Sequence, residues 1–179
     1  MGSGVINTNH IRIWYESFGD KRHPAILLVM GNSCDAIMWP TDFCHLLEDL
    51  GLYVIRFDQR DTGLSTWIDY QIEPYTLIDM ARDAVGLLEE IHIQKAHIIG
   101  FSTGGAIALL LAFHYPEKIL SLTLMMTSLD LTIKNDAFLG LDTSRSTLPP
   151  PRQDFIQAVL QLNAKEAKDR HEKIQQLHS

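Results

Sequence analysis

The sequence is poor in cysteine and carries fewer basic than acidic residues. Its two cysteines, Cys34 and Cys44, form no Cys-x-x-Cys pair, and we expect two free thiols in a reducing cytoplasm. Lys and Arg number 15 against 22 Asp and Glu, which gives a formal net charge of -7. Because nucleic acids and anionic membranes bind clustered Lys and Arg, this balance argues against both as partners.

Several other signals are also absent. No run of about eighteen apolar residues is present, so we expect no membrane span. The first six residues lack the basic start and apolar stretch of a signal peptide, which favours a cytoplasmic location. The 8 histidines are scattered without a metal-ligand spacing, so we predict neither a metal nor a cofactor.

What the chain does contain is an alternation of short apolar runs and amphipathic segments. Helices are predicted to open at Pro40, at Thr76 (which has Asp79 three residues later, as in a capping box) and at Ser102. The alternation of strand and helix predicts an α/β fold with a parallel-rich sheet and helices on both faces. Strands are predicted at 10–17, 25–30, 52–57, 96–99 and 119–126.

The pattern changes after Asp130. A Leu-Pro-Pro-Pro run at 148–151 interrupts the chain, and 153–177 is predicted to be a largely polar helix. We therefore divide the chain into residues 1–130, the N-terminal part of a core domain, and residues 131–179, a mostly helical segment of a lid.

The chemically informative motif is Gly100-Phe101-Ser102-Thr103-Gly104. It follows a buried strand and opens an apolar helix, as a nucleophile elbow does. Gly100 and Gly104 would keep side chains out of the crowded strand–helix contact, and Ser102 would lie at the positive end of the helix dipole. The alternatives are a packing turn of small residues and a phosphate-binding loop, but the latter requires a lysine where Ala106 and Ile107 stand.

An acyl-transfer site also needs two N–H donors that point at one oxygen. Thr103, directly after Ser102, is the first candidate. Asn32, in the loop that follows the strand at 25–30, is the second. The alternative for Asn32 is an ordinary strand-to-helix connection.

A charged segment follows the strand at 52–57. Asp58 and Asp61 are possible acids, but we expect them to belong to a hydrogen-bond network that fixes the loop, with Arg60 paired to a carboxylate.

Three local features occur together in the chain: Met30-Gly31 with Trp39-Pro40, the run Arg60-Asp61-Thr62-Gly63-Leu64-Ser65, and Gly100-Phe101-Ser102-Thr103-Gly104-Gly105. Together they resemble the α/β-hydrolase superfamily, from about Ile6 to Asp130, and within it the branch that includes aclacinomycin methylesterase. The resemblance implies Ser102 as the nucleophile of carboxylic-ester hydrolysis, the N–H groups of Asn32 and Thr103 as the oxyanion hole, and a small-molecule ester substrate. Dehalogenases and epoxide hydrolases are also similar but place Asp at the elbow.

The family's triad runs Ser, acid, His, and no strand pattern follows Met126 to carry the last two. Asp130 as the acid and His171 or His178 as the base are alternatives that their positions disfavour. We therefore expect a fold truncated before its last strands, whose apolar edge Ile119 to Met126 invites self-association. The alternative function is a catalytically inactive half-domain that acts by association with another chain.

Overall fold

A computed structural model describes residues 2–32 and 34–128, together with 136, 141, 142, 144, 157 and 161. The chain divides into the compact units Met1–Leu129 and Asp130–Ser179. Almost all described residues belong to the first unit; in the second, the Leu141 N–H donates to the Asp136 carbonyl at 2.8 Å. Asp130, His171, His178 and all of the predicted lid helix at 153–177 except residues 157 and 161 lie outside the described residues.

The first unit contains a six-stranded sheet and three α-helices. Their bounds are β1 (Gly2–Thr8), β2 (Ile11–Phe18), β3 (Ala25–Val29), α1 (Thr41–Asp49), β4 (Tyr53–Phe57), α2 (Leu77–Glu90), β5 (Ala96–Phe101), α3 (Thr103–His114) and β6 (Ile119–Met125).

The strand order is β1-β2-β4-β3-β5-β6. The pairs β4–β3, β3–β5 and β5–β6 are parallel, whereas β1 and β2 join antiparallel at one edge. The predicted parallel-rich sheet is therefore confirmed. Among the described residues, no helix is both long and apolar enough to cross a membrane.

Helices cover both faces of this sheet, as predicted. Along β3, Ala25, Leu27 and Val29 pack in the cluster that contains α2 and α3. The alternate residues Ile26 and Leu28 pack in a second cluster with α1. Since successive side chains of a strand point to opposite faces, a run that is apolar throughout fits a strand covered on both sides.

Strand β1 was not predicted. Its two glycines and polar residues give it a weak strand signal, and most of its side chains are exposed or half-buried. Its hairpin with β2 turns at Asn9 and His10, whose φ values are 46° and 65°. Positive φ at both central residues is characteristic of the tight turn that joins two antiparallel strands.

Helix α3 is covered on one side. Its apolar sequence predicts a buried helix, and a sheet that ends at the predicted edge 119–126 is expected to leave part of that helix without cover. The buried side includes Ile107, Ala108 and Leu111. Phe113 is 80% exposed. Within the part of the chain described here, the sheet ends at β6, so the outer flank of α3 has no further strand beneath it.

Candidate active site

Ser102 lies at the turn between β5 and α3. Its backbone angles are φ 54° and ψ -119°, a strained conformation for a residue other than glycine. Its N–H donates to the Met125 carbonyl at 2.9 Å, and its carbonyl accepts the N–H of Gly105 at 2.9 Å. Neighbouring backbone thus holds the strained turn and places the half-buried Ser102 side chain at the N-terminus of α3.

The glycines on either side allow strand and helix to touch. A Cβ atom at Gly100 would lie 2.5 Å from the Gly104 carbonyl oxygen. One at Gly104 would lie 2.2 Å from the Val29 carbonyl oxygen and 2.4 Å from that of Met30. Since these distances are far below van der Waals contact, neither position accepts a side chain without displacement of the backbone.

The loop after β3 approaches the same turn. A Cβ atom at Gly31 would lie 3.2 Å from the Cβ of Ser102, so the backbone that leads into Asn32 passes close to the serine. Asn32 is exposed, and Thr103 is the first residue of α3. The first N–H groups of a helix have no acceptor within it, so the Thr103 N–H is not used by α3.

Asp58 fixes the loops beside this turn. Its carboxylate accepts the N–H of Ala36 at 2.7 Å and that of Leu64 at 2.8 Å, and it is 3% exposed. Burial raises the pKa of the Asp58 carboxyl, although the two backbone donors oppose the shift. Gly63 lies against it with φ 48°, and a Cβ there would be 2.0 Å from the Asp58 Oδ2.

Arg60 forms the ion pair that the sequence predicted. It donates to Asp83 on α2 through two nitrogens, at 2.6 and 2.8 Å, and both side chains are buried. Asp61 accepts the N–H of Ile68 at 2.5 Å. Burial, followed by a hydrogen bond to Asp61, raises the pKa of Tyr75, whose ring lies 4.8 Å from the Arg60 guanidinium carbon. The prediction of a structural network is confirmed.

An apolar cavity of about 340 Å³ opens beside the turn. The Trp39 ring stacks on Phe43 and meets Phe101 edge-on, so two rings brace one wall. Cys34 and Cys44 form no disulfide with each other, and burial raises the pKa of the Cys44 thiol. The lining residues are Met30, Cys34, Met38, Trp39, Pro40, Phe43, Phe101 and Met125.

Sequence reasoning missed the contacts by which two residues, Arg56 and Gln59, support this cavity. Arg56 donates to the Trp39 carbonyl and pairs with Glu16, and the Gln59 Nε2 donates to the Met30 carbonyl at 2.6 Å. The available signal is a polar residue within or directly after a buried strand, since Arg56 lies in β4 and Gln59 follows it. In the described part of the chain, no group of three or more His, Cys, Asp or Glu is placed to hold a metal ion.

The comparisons with known proteins agree with this fold. A model of the α/β-hydrolase fold matches residues 24–162, and the chain belongs to that family. It is 34% identical over 165 residues to rhodomycin D methylesterase DnrP of Streptomyces peucetius, over 90% of this chain and 55% of that protein. The predicted resemblance to the methylesterase branch is thereby confirmed.

Two further similarities widen the comparison. A putative carbamate hydrolase, RutD of Variovorax paradoxus, is 37% identical over 112 residues, covering 62% of this chain and 41% of that protein. The crystal structure of a hydrolase from Pseudomonas aeruginosa PA01 matches with a TM-score of 0.67 at 25% identity, over 77% of this chain and 52% of that one. The chain spans about half the length of the rhodomycin D methylesterases that it matches.

Proposed function

We propose that the chain carries the nucleophile and the oxyanion-binding backbone of a carboxylic-ester hydrolase, with Ser102 as the nucleophile. The strained turn at Ser102, with the Gly31 backbone against its Cβ, is the observation that carries this proposal. Methylesterase and carbamate-hydrolase relatives support the same class of reaction.

In the proposed reaction, the Ser102 Oγ attacks the ester carbonyl carbon and its proton passes to a general base. The N–H groups of Asn32 and Thr103 stabilise the oxyanion. The C–O bond of the ester then breaks, the base returns the proton to the departing alkoxide so that the neutral alcohol leaves, and water hydrolyses the acyl-serine to release the acid and restore Ser102. The catalytic acid and the general base are not assigned within the described residues.

The substrate class follows from the cavity. Its lining is apolar throughout, which favours a small-molecule ester with an apolar acyl or alcohol group over a charged one. A cytoplasmic location is part of the proposal, supported by two cysteines that form no disulfide.

One observation favours the alternative of an inactive half-domain. Strand β6 is the last strand of the described sheet, and Leu120, Leu124 and Met125 on it are 48%, 40% and 39% exposed. An apolar edge strand of this kind is a surface for association with another chain, including a second copy.

The nucleophile proposal is tested with Ser102→Cys, because a thiol ionises without a neighbouring base. The thiolate displaces p-nitrophenolate from p-nitrophenyl acetate through an oxyanion, whereas it displaces iodide from iodoacetamide without one. The quotient of the two rate constants, the acyl-to-alkyl ratio, is independent of the thiolate fraction and reports the oxyanion hole.

We expect the ratio for Ser102→Cys to exceed that of Ser3→Cys, an exposed thiol on β1, by on the order of 10². Peptide mass mapping separates the adduct from those on Cys34 and Cys44. Equal ratios for the two variants would contradict the proposal.

A further inference from the structure

Gln59 is a buried amide that the proposed reaction does not use. It directly follows Asp58 and is 3% exposed. Its Nε2 donates to the Met30 carbonyl at 2.6 Å, 29 residues away along the chain. Its own carbonyl is held by Thr62, which donates through its N–H at 3.1 Å and its hydroxyl at 2.8 Å. These two hydrogen bonds fix the backbone of Gln59, and with it the position from which its side chain extends.

The other half of the Gln59 amide has no partner in the described part of the chain. Its Oε1 is buried and accepts no hydrogen bond within the described residues. A leucine would fill similar space without burying an unpartnered oxygen, so packing alone favours an apolar residue at this position. The bond from Nε2 to the Met30 carbonyl is therefore the property that distinguishes glutamine here.

The Met30 carbonyl lies at the junction of the two loops that meet at Ser102. It faces Gly104, where a Cβ atom would lie 2.4 Å from its oxygen. Because a peptide unit is planar, a fixed Met30 carbonyl also fixes the plane of the Gly31 N–H. The next peptide carries the Asn32 N–H, and Gly31, which is buried against the backbone of Phe101 and the Cβ of Ser102, is the one residue that joins the two peptide planes. The direction of that N–H therefore depends on how Met30 is held.

We propose that Gln59 is a positioning residue that orients the Asn32 N–H in the oxyanion hole by holding the Met30 carbonyl against Gly104. This inference rests on the proposed function, since it assigns Gln59 a role in the same acyl transfer. Gln59 touches neither Ser102 nor substrate in this role; it acts through the backbone of Met30 and Gly31.

The test adds Gln59→Leu to the Ser102→Cys variant and measures the acyl-to-alkyl ratio. We expect the acyl-to-alkyl ratio to fall about tenfold. This is a smaller effect than the 10²–10³-fold loss of rate that removal of an oxyanion donor causes. The iodoacetamide rate is expected to stay the same, because alkylation forms no oxyanion. A purely structural role would change both rates together and leave their ratio constant.

Gln59→Glu is expected to restore the acyl-to-alkyl ratio only when the new carboxyl group is protonated. Burial raises the pKa of a carboxyl, and only its protonated form donates to a carbonyl. In the Ser102→Cys background, the ratio for Gln59→Glu should rise as pH falls from about 8 to about 5, while that for Gln59→Leu stays flat. The matched control is Gln94→Leu, which replaces an exposed glutamine and should leave the ratio unchanged.

The outcomes separate the two proposals. A high ratio for Ser102→Cys that Gln59→Leu leaves unchanged, with no pH-dependent rise for Gln59→Glu, overturns the role of Gln59 and leaves the nucleophile in place. A ratio for Ser102→Cys no higher than that of Ser3→Cys overturns both.

Discussion

Single buried polar residues at the end of β4 set the shape of the loops around Ser102. Asp58 holds Ala36 on one side and Leu64 on the other, while Arg60 is locked to Asp83. Breaking such a buried pair leaves a charge without its partner, which is costly. Specific side-chain contacts therefore fix the conformation of these loops.

Gly63 offers a test of this arrangement. It has φ 48° and no room for a Cβ atom, which would lie 2.0 Å from the Asp58 Oδ2. Gly51 is a matched control, since it has φ 79° and nothing within 4 Å of a Cβ. Both changes to alanine incur backbone strain, but only Gly63→Ala crowds Asp58. We expect Gly63→Ala to lower the free energy of unfolding by about 1–3 kcal/mol more than Gly51→Ala, as measured by urea denaturation. Equal losses would show that Asp58 moves away freely.

Among the elements, those with a strong local signal were predicted well. Helix α2 begins after Thr76, whose side chain and that of Asp79 form a reciprocal capping box. Hydrogen bonds from Thr76 lower the pKa of the Asp79 carboxyl, as expected for a carboxylate that caps a helix. Strand β1 carries no such signal, because its pairing depends on β2 rather than on its own sequence.

Strand β6 is the element whose exposure has a measurable consequence. We expect the chain to self-associate through this edge, and Leu120→Lys to reduce the association, because a charge on an edge strand blocks pairing. Leu50→Lys is the control, since Leu50 is 77% exposed at the end of α1, away from β6. Light scattering at several concentrations measures the effect. A monomer at all concentrations before any substitution would contradict the expectation.

At the scale of the whole molecule, features set by local sequence patterns could be predicted, whereas features set by long-range contacts could not. The alternation of strands and helices after β1, the strand–turn–helix at Ser102 and the pairing of Arg60 with a carboxylate could be predicted, since each follows from residues close in sequence or from residue chemistry. The apolar cavity and the bond from Gln59 to Met30 could not, because they join segments tens of residues apart. The partial exposure of α3 could also be predicted, since a sheet that ends at the edge 119–126 leaves part of this helix without cover.

The central claim is that the backbone around Ser102 binds the oxygen of an acyl group attached there. Its most direct test is the infrared carbonyl band of the acetyl thioester formed on Ser102→Cys, labelled with carbon-13 at the carbonyl. Two N–H donors in a buried site weaken the C=O bond more than water does. The account predicts a band at lower frequency than in the same acetylated peptide, free in water after proteolysis. A band at the same or a higher frequency would contradict it.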